Sequence, residues 1–256
     1  MAGRVGRTPY TRRVADEAAL LALLWRDRGS ERAHALSTSA VVGTAIALAD
    51  AEGIGAVSMR HIAARLGAAA MSLYTHVPDK SALVALMTDE VLRGMPVTEP
   101  AFGIGWRARL RLVAGDNRDL LLRHPWLLET PLVRAPLGPG LLAKYEWELS
   151  AFHGLGLSAP ETDASLTFLL GHVRSATADA IAGGRQNAAR AVAGPTARAE
   201  AATVLARHLD EDEFPLATRI GGEAAAVQGR SRDPDGAWSF GLERALDGVA
   251  ALVARG

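Results

Sequence analysis

The 256-residue chain sets 28 Lys and Arg against 28 Asp and Glu, is 49% hydrophobic and has no cysteine. It can bury a core of one or two domains, but it excludes disulfides, thiolate metal sites and cysteine nucleophiles. The zero net charge divides into +3 over residues 1–35, −1 over 36–93 and −2 over the remainder, so a polyanion would be held by a few placed groups and not by a global field.

Residues 1–10 contain Gly3, Gly6 and Pro9 and form a basic start; residues 1–35 together carry seven arginines. Over 11–28, Val14, Ala18, Leu21, Leu24 and Trp25 recur at close to a helical period. Ser37 or Thr38 can cap a following helix whose apolar face is Val41, Val42, Ala45, Ile46, Leu48 and Ala49, ended by Gly53 and Gly55. Ser58 then caps a helix over 58–66 that Gly67 closes, and a second helix over 69–77 stops at Pro78. Asp79 caps a fourth, Lys80 to about Arg93, with Leu83, Leu86, Met87 and Val91 inward.

Beyond Pro96 and Pro100 the pattern lengthens. Helices are predicted over 106–124, 141–153, 159–182, 197–209 and 238–254, with loops over 131–140, 183–195 and 228–236. No stretch alternates as a strand does, so the fold class is all-α. Three regions follow: a basic extension (1–35), a small helical head (36–93) and a larger helical body (97–256). The helices near 159–182 and 238–254 are apolar on more than one side, and could be interior or could pair across a two-fold axis.

Within 58–76, Ile62, Leu66, Leu73 and Val77 must face inward, Ala63 is small where the helices cross, and Gly67 makes the turn. Arg60, Ser72, Thr75 and His76 are left outside, with Tyr74 at the rim. A steep helix pair with an exposed second member is a helix-turn-helix, whose outward side chains meet bases and phosphates.

Residues 38–92 resemble the DNA-binding head of the tetracycline-repressor (TetR/AcrR) family. The resemblance rests on Ser58-x-Arg60-x-x-Ala63-x-x-Leu66-Gly67, Leu73-Tyr74-x-His76, and Lys80 followed by Leu83. The segment Phe240-Gly241-Leu242-Glu243-Arg244-x-Leu246-Asp247-Gly248 is similar to the family's C-terminal domain. The resemblance implies a cytoplasmic homodimeric repressor, paired through the helices near 159–182 and 238–254. It would be released from palindromic double-stranded operator DNA by an apolar or amphipathic small molecule. By position, Arg60 would reach a base, and Ser58, Ser72, Tyr74, Thr75, His76 and Lys80 would meet phosphates or the groove wall. Leu86, Met87, Trp126, Trp147, Phe168 and His172 are the residues expected to line the effector pocket.

The sequence also departs from its relatives. Ala68-Ala69-Ala70-Met71 places small or apolar groups where many relatives carry polar base readers, leaving a thymine methyl to meet Ala70 or Met71. The family's drug-bound magnesium needs a body histidine, and the matching region near Thr130 offers none, so magnesium-tetracycline is not the expected effector. Glu31-x-x-His34 is the one Glu-x-x-His spacing, too little for a di-iron bundle, so no metal or other cofactor is expected. No P-loop, Gly-x-Ser-x-Gly or zinc-spaced cluster occurs, so no enzymatic activity is expected. No apolar run is long enough to span a membrane, so no membrane partner is expected. The alternative is a helical small-molecule- or metal-binding enzyme retaining a vestigial helix-turn-helix.

Overall fold

The computed structural model describes residues 9–26, 36–98, 103–130, 136–210, 212–228 and 234–255, and among these it is helical without strands. The chain divides into two compact units, Met1–Ser158 and Ala159–Gly256. The first holds α1 (Pro9–Leu24), α2 (Thr38–Glu52), a 3-10 turn (Ile54–Ala56), α3 (Met59–Leu66), α4 (Ala70–Leu73), α5 (Lys80–Arg93), α6 (Trp106–Arg123), a second 3-10 turn (Pro125–Glu129) and α7 (Pro139–Ser150). The second holds α8 (Ala159–His208), α9 (Pro215–Gln228) and α10 (Pro234–Val253).

The head forms because its helix ends are written locally and its apolar periods agree. Ser37 caps α2, its hydroxyl accepting from the Ala40 N–H at 3.1 Å. Asp79 caps α5 by accepting from the Ala82 N–H at 2.8 Å. Val41, Ala45, Leu48, Ile62, Leu73, Val77, Leu83, Leu86 and Met87 are fully enclosed. Each large apolar side chain among them contributes about 1.5–3 kcal/mol of burial. Helix α5 packs against α2 and also against α7, so one helix belongs to both head and body.

The α5–α7 contact has a chemical clasp. Asp89, on α5 and buried, accepts from the Gly140 N–H at 2.8 Å and the Leu141 N–H at 3.1 Å. It therefore caps α7 from another helix, in place of Gly138, which has no side chain to do so. Its other oxygen accepts from Arg93 at 3.2 Å. Between α6 and α7, the Asn117 amide donates to buried Glu148 at 2.7 Å, and Lys144 pairs with the same carboxylate oxygen. Arg109 on α6 donates to the carbonyls of Ala151 and His153 at 3.2 and 3.0 Å, holding the end of α7.

The helical period read over 11–28 in the basic extension corresponds, in its described part, to helix α1. That helix packs on α5, and Leu23 and Leu24 at its end are buried. The Trp25 indole N–H donates to the Leu137 carbonyl at 2.9 Å, just ahead of α7. Arg4, Arg7, Arg28, Arg32, Glu31 and His34 lie outside the described residues. Leu24→Ala is expected to lower the stability of the first unit by about 2–3 kcal/mol, bounded by the free energy with which α1 docks. Urea denaturation measures this, and an unchanged midpoint with α1 newly open to protease would show that docking is weaker than that bound.

In the second unit, Leu166, Leu169 and Val173 of α8 and Leu242, Ala245, Leu246 and Val249 of α10 are buried, and the two helices pack together. The His172 ring stacks on Trp238 at 5.6 Å and 19°, with Nε2 3.0 Å from the Trp238 carbonyl oxygen. Gly241 makes room for that ring, since a methyl there would stand 2.2 Å from its Cε1.

The predicted loop over 183–195 is helical for most of its length. Gly183 and Gly184 weaken a helix by about 1 kcal/mol each without breaking it. The break falls at Gly194, where φ is 82° and Pro195 follows. Helix α7 starts at Pro139, two residues before the prediction, because proline at the first helical position forfeits no hydrogen bond. Helix α9 has no counterpart among the predicted elements.

Candidate nucleic-acid interface

The candidate interface consists of α3, α4 and the turn between them. Ser58 is extended and its Oγ accepts from the His61 N–H at 3.2 Å, starting α3. Gly67 ends it at φ 64°, ψ 28°, a left-handed geometry that favours glycine. The Gly67 N–H bonds the Ala64 carbonyl at 3.4 Å and the Ala68 N–H bonds that of Ala63 at 3.0 Å, together forming a Schellman turn. Buried Ile62, Ala63, Leu73 and Val77 form the seam expected of them, while Leu66 is only half-buried.

The second helix is shorter than the predicted 69–77. Regular α structure covers Ala70–Leu73, and Tyr74, Thr75 and His76 continue as turns. The Tyr74 and His76 N–H groups donate to the carbonyls of Met71 and Leu73 at 3.3 and 3.0 Å. The cause is local: Ala69 offers no capping side chain at one end, and Pro78 disfavours helix at the other.

Of the residues expected at DNA, Arg60, Met71, Tyr74, Thr75 and Lys80 are exposed, and Ala70, Ser72 and His76 are half-buried. Two have their hydroxyls engaged already. Ser58 serves as the cap, and the Thr75 hydroxyl donates to the Ser72 carbonyl at 2.7 Å. Arg65, beside this surface, is paired with Glu52 of α2 at 2.7 Å.

Four of the six residues expected at the effector lie in the first unit. Leu86, Met87 and Trp126 are fully buried there and Trp147 half-buried. Phe168 and His172 belong to the second, Phe168 being 65% exposed and His172 engaged with Trp238 and Gly241.

Sequence reasoning missed Asp50. Its Oδ1 accepts from the Trp126 indole N–H at 2.7 Å and lies 2.7 Å from His124 Nδ1. The end of α2 is thereby fastened to the turn after α6. The partners stand more than 70 residues apart in sequence, so no local pattern announces them.

A Schellman-turned helix pair with its second helix exposed, set ahead of a helical body, defines a helix-turn-helix regulator. Residues 41–87 match the model for bacterial regulatory proteins of the tetR family, and residues 99–253 match the tetracyclin repressor-like C-terminal domain. The chain belongs to the TetR family of transcriptional regulators.

Among its relatives is the HTH-type transcriptional repressor DrrR1 of Streptomyces coeruleorubidus. It is 36% identical over 262 residues, spanning 99% of this chain and 92% of that protein. The TetR family protein ActR of Streptomyces coelicolor, solved in complex with actinorhodin, superposes with a TM-score of 0.66 at 26% identity. That match covers 85% of this chain and 98% of ActR. BioQ with its double-stranded DNA operator shares the fold, with a TM-score of 0.52 at 23% identity, over 84% of this chain and 99% of that one. No described helix is long and apolar enough to cross a membrane.

Proposed function

We propose that the protein is a homodimeric cytoplasmic repressor that sits on a palindromic operator and leaves it when a small molecule binds the helical body. The observation that carries this is the exposed α3–α4 surface, held rigid by the Ser58 cap and the Gly67 turn, in a chain of this family. Arg60 is the base reader, its fork suited to guanine O6 and N7, and Ser72, Tyr74, His76 and Lys80 grip the backbone. The near full-length likeness to a transcriptional repressor supports the sign of regulation. An inverted repeat enriched from random duplexes by the purified protein is the expected result. No enrichment, and no retardation of any duplex at low salt, would sink the DNA-binding reading.

Dimerisation would use the outer face of α8 and α10. Phe168 and Phe240 are each 65% exposed, and they share their helices with exposed Gly171, Ser175 and Gly248, which permit close approach. Phe240→Asp is expected to leave a folded chain with the mass of one copy in light scattering, and operator affinity reduced to that of a single head. A variant that stays dimeric would place the interface elsewhere.

For the effector, the residues proposed to meet it in the first unit are buried Leu86, Met87 and Trp126 and half-buried Trp147, with the Asn117–Glu148–Lys144 cluster as the polar group. That combination suits an amphipathic molecule, and the actinorhodin complex of ActR supports the class. An effector preferring the released state by about 1–3 kcal/mol would weaken operator binding by the corresponding factor.

A further inference from the structure

We propose that Met71 is a specificity-determining residue of the head, reading the 5-methyl group of thymine in the major groove by apolar contact. The inference rests on the DNA-binding reading above and deepens it. By sequence alone, Ala70 and Met71 are equal candidates for that contact. The structure separates them, since Ala70 is half-buried whereas Met71 is 76% exposed at the start of the short second helix.

Arg60 remains the hydrogen-bonding reader on α3, and the turn and the start of the second helix add few others. Ala68, Ala69 and Ala70 reach no further than a methyl group. The Thr75 hydroxyl donates to the Ser72 carbonyl, the Ser58 Oγ accepts from the His61 N–H at the start of α3, and Arg65 pairs with Glu52 of α2. Ser72, next to Met71, is half-buried. What the second helix presents at its start is a flexible thioether chain that follows three alanines. It is an apolar tip with no hydrogen to donate and only a weak sulfur acceptor.

Among the major-groove edges, thymine alone carries an apolar group. Covering that methyl with Met71 removes two apolar surfaces from water at once, whereas pressing Met71 on a guanine or cytosine edge would desolvate polar atoms without satisfying them. The unbranched side chain can also settle against the methyl without moving the backbone.

The test uses the inverted-repeat duplex selected above, synthesised with thymidine or with deoxyuridine throughout. The second duplex keeps every hydrogen-bonding group and loses only the 5-methyl groups. Wild-type protein is expected to favour the thymidine duplex by about fourfold per half-site, or about fifteenfold for two heads. Met71→Ala is expected to lose that fourfold preference per half-site, keeping only the difference that uracil itself makes to the duplex, and to match the wild-type affinity for the deoxyuridine one. Circular dichroism checks that this exposed substitution leaves the fold intact, and Met71→Leu, which keeps an apolar tip, should retain most of the discrimination. Any general effect of uracil on duplex stiffness persists in Met71→Ala and is thereby separated. Equal wild-type binding to the two duplexes, or full discrimination kept by Met71→Ala, would overturn the assignment while leaving DNA binding intact. Absence of any selected repeat would overturn the DNA-binding reading and this inference with it.

Discussion

Gly140→Ala is expected to destabilise the first unit by about 3 kcal/mol, because its methyl would stand 2.0 Å from the Asp89 carbonyl oxygen and 2.9 Å from the Arg93 nitrogen. Both atoms are backbone of α5, so the clash cannot be relieved by turning a side chain; α5 and α7 must part. Separation would pull the Gly140 and Leu141 N–H groups from the Asp89 carboxylate. At roughly 2–4 °C per kcal/mol for a chain of this size, the melting temperature should fall by about 6–12 °C.

Asp89→Ala attacks the same junction from the other side. It leaves two amides at the start of α7 without their acceptor and Arg93 without its partner, destabilising by about 2–4 kcal/mol. The two substitutions break one junction, so the double variant should be destabilised by clearly less than the sum of the singles. Strict additivity in calorimetry would mean that Gly140 and Asp89 act independently, and that the clasp is not a single element.

Arg60→Ala carries the largest expected effect on function. Arg60 is exposed on α3, so its removal should leave thermal stability within about 0.5 kcal/mol. Removing a bidentate base contact costs about 1–3 kcal/mol in each head and relaxes the preference at one base pair. Binding to random DNA should fall far less. Lys80→Ala is the contrast: without its phosphate partner, binding weakens on all sequences and the salt slope falls by about 1 for each lysine removed. Anisotropy titrations over a range of salt separate the two. Equal weakening on operator and random DNA would show Arg60 to be a phosphate contact.

Legibility in the sequence followed the distance over which each interaction acts. Ser58 to His61, Asp79 to Ala82 and Gly67 at its turn are satisfied within one helical turn, and their residue types state the geometry directly. The apolar periods of α2, α3 and α5 are equally plain, which is why the head can be drawn from its sequence. The shortened second helix cannot, because whether 74–76 coil as helix or as turns depends on a balance of weak local terms near Pro78. In the body, Gly183 and Gly184 resemble a loop yet lie inside α8, where neighbouring helix formers outweigh them.

The class of this protein is written in its residue order: all-α, a helix-turn-helix head ahead of a long helical body, with Arg60 on the outer side of the first helix of the pair and no polar group at 68–71. That much is legible because caps, turns and periodicity are properties of neighbouring residues. Which side chains remain available, and what ties the first unit together, emerges only when the chain is folded. Folding engages Ser58, Arg65 and Thr75 within the head itself and leaves Met71 in solvent. It joins Asp50 to Trp126 and Asp89 to Gly140, and docks α1 on α5. Those pairings bring together residues far apart along the chain, and a carboxylate's partner 50 or more positions away leaves no trace in the residues beside it.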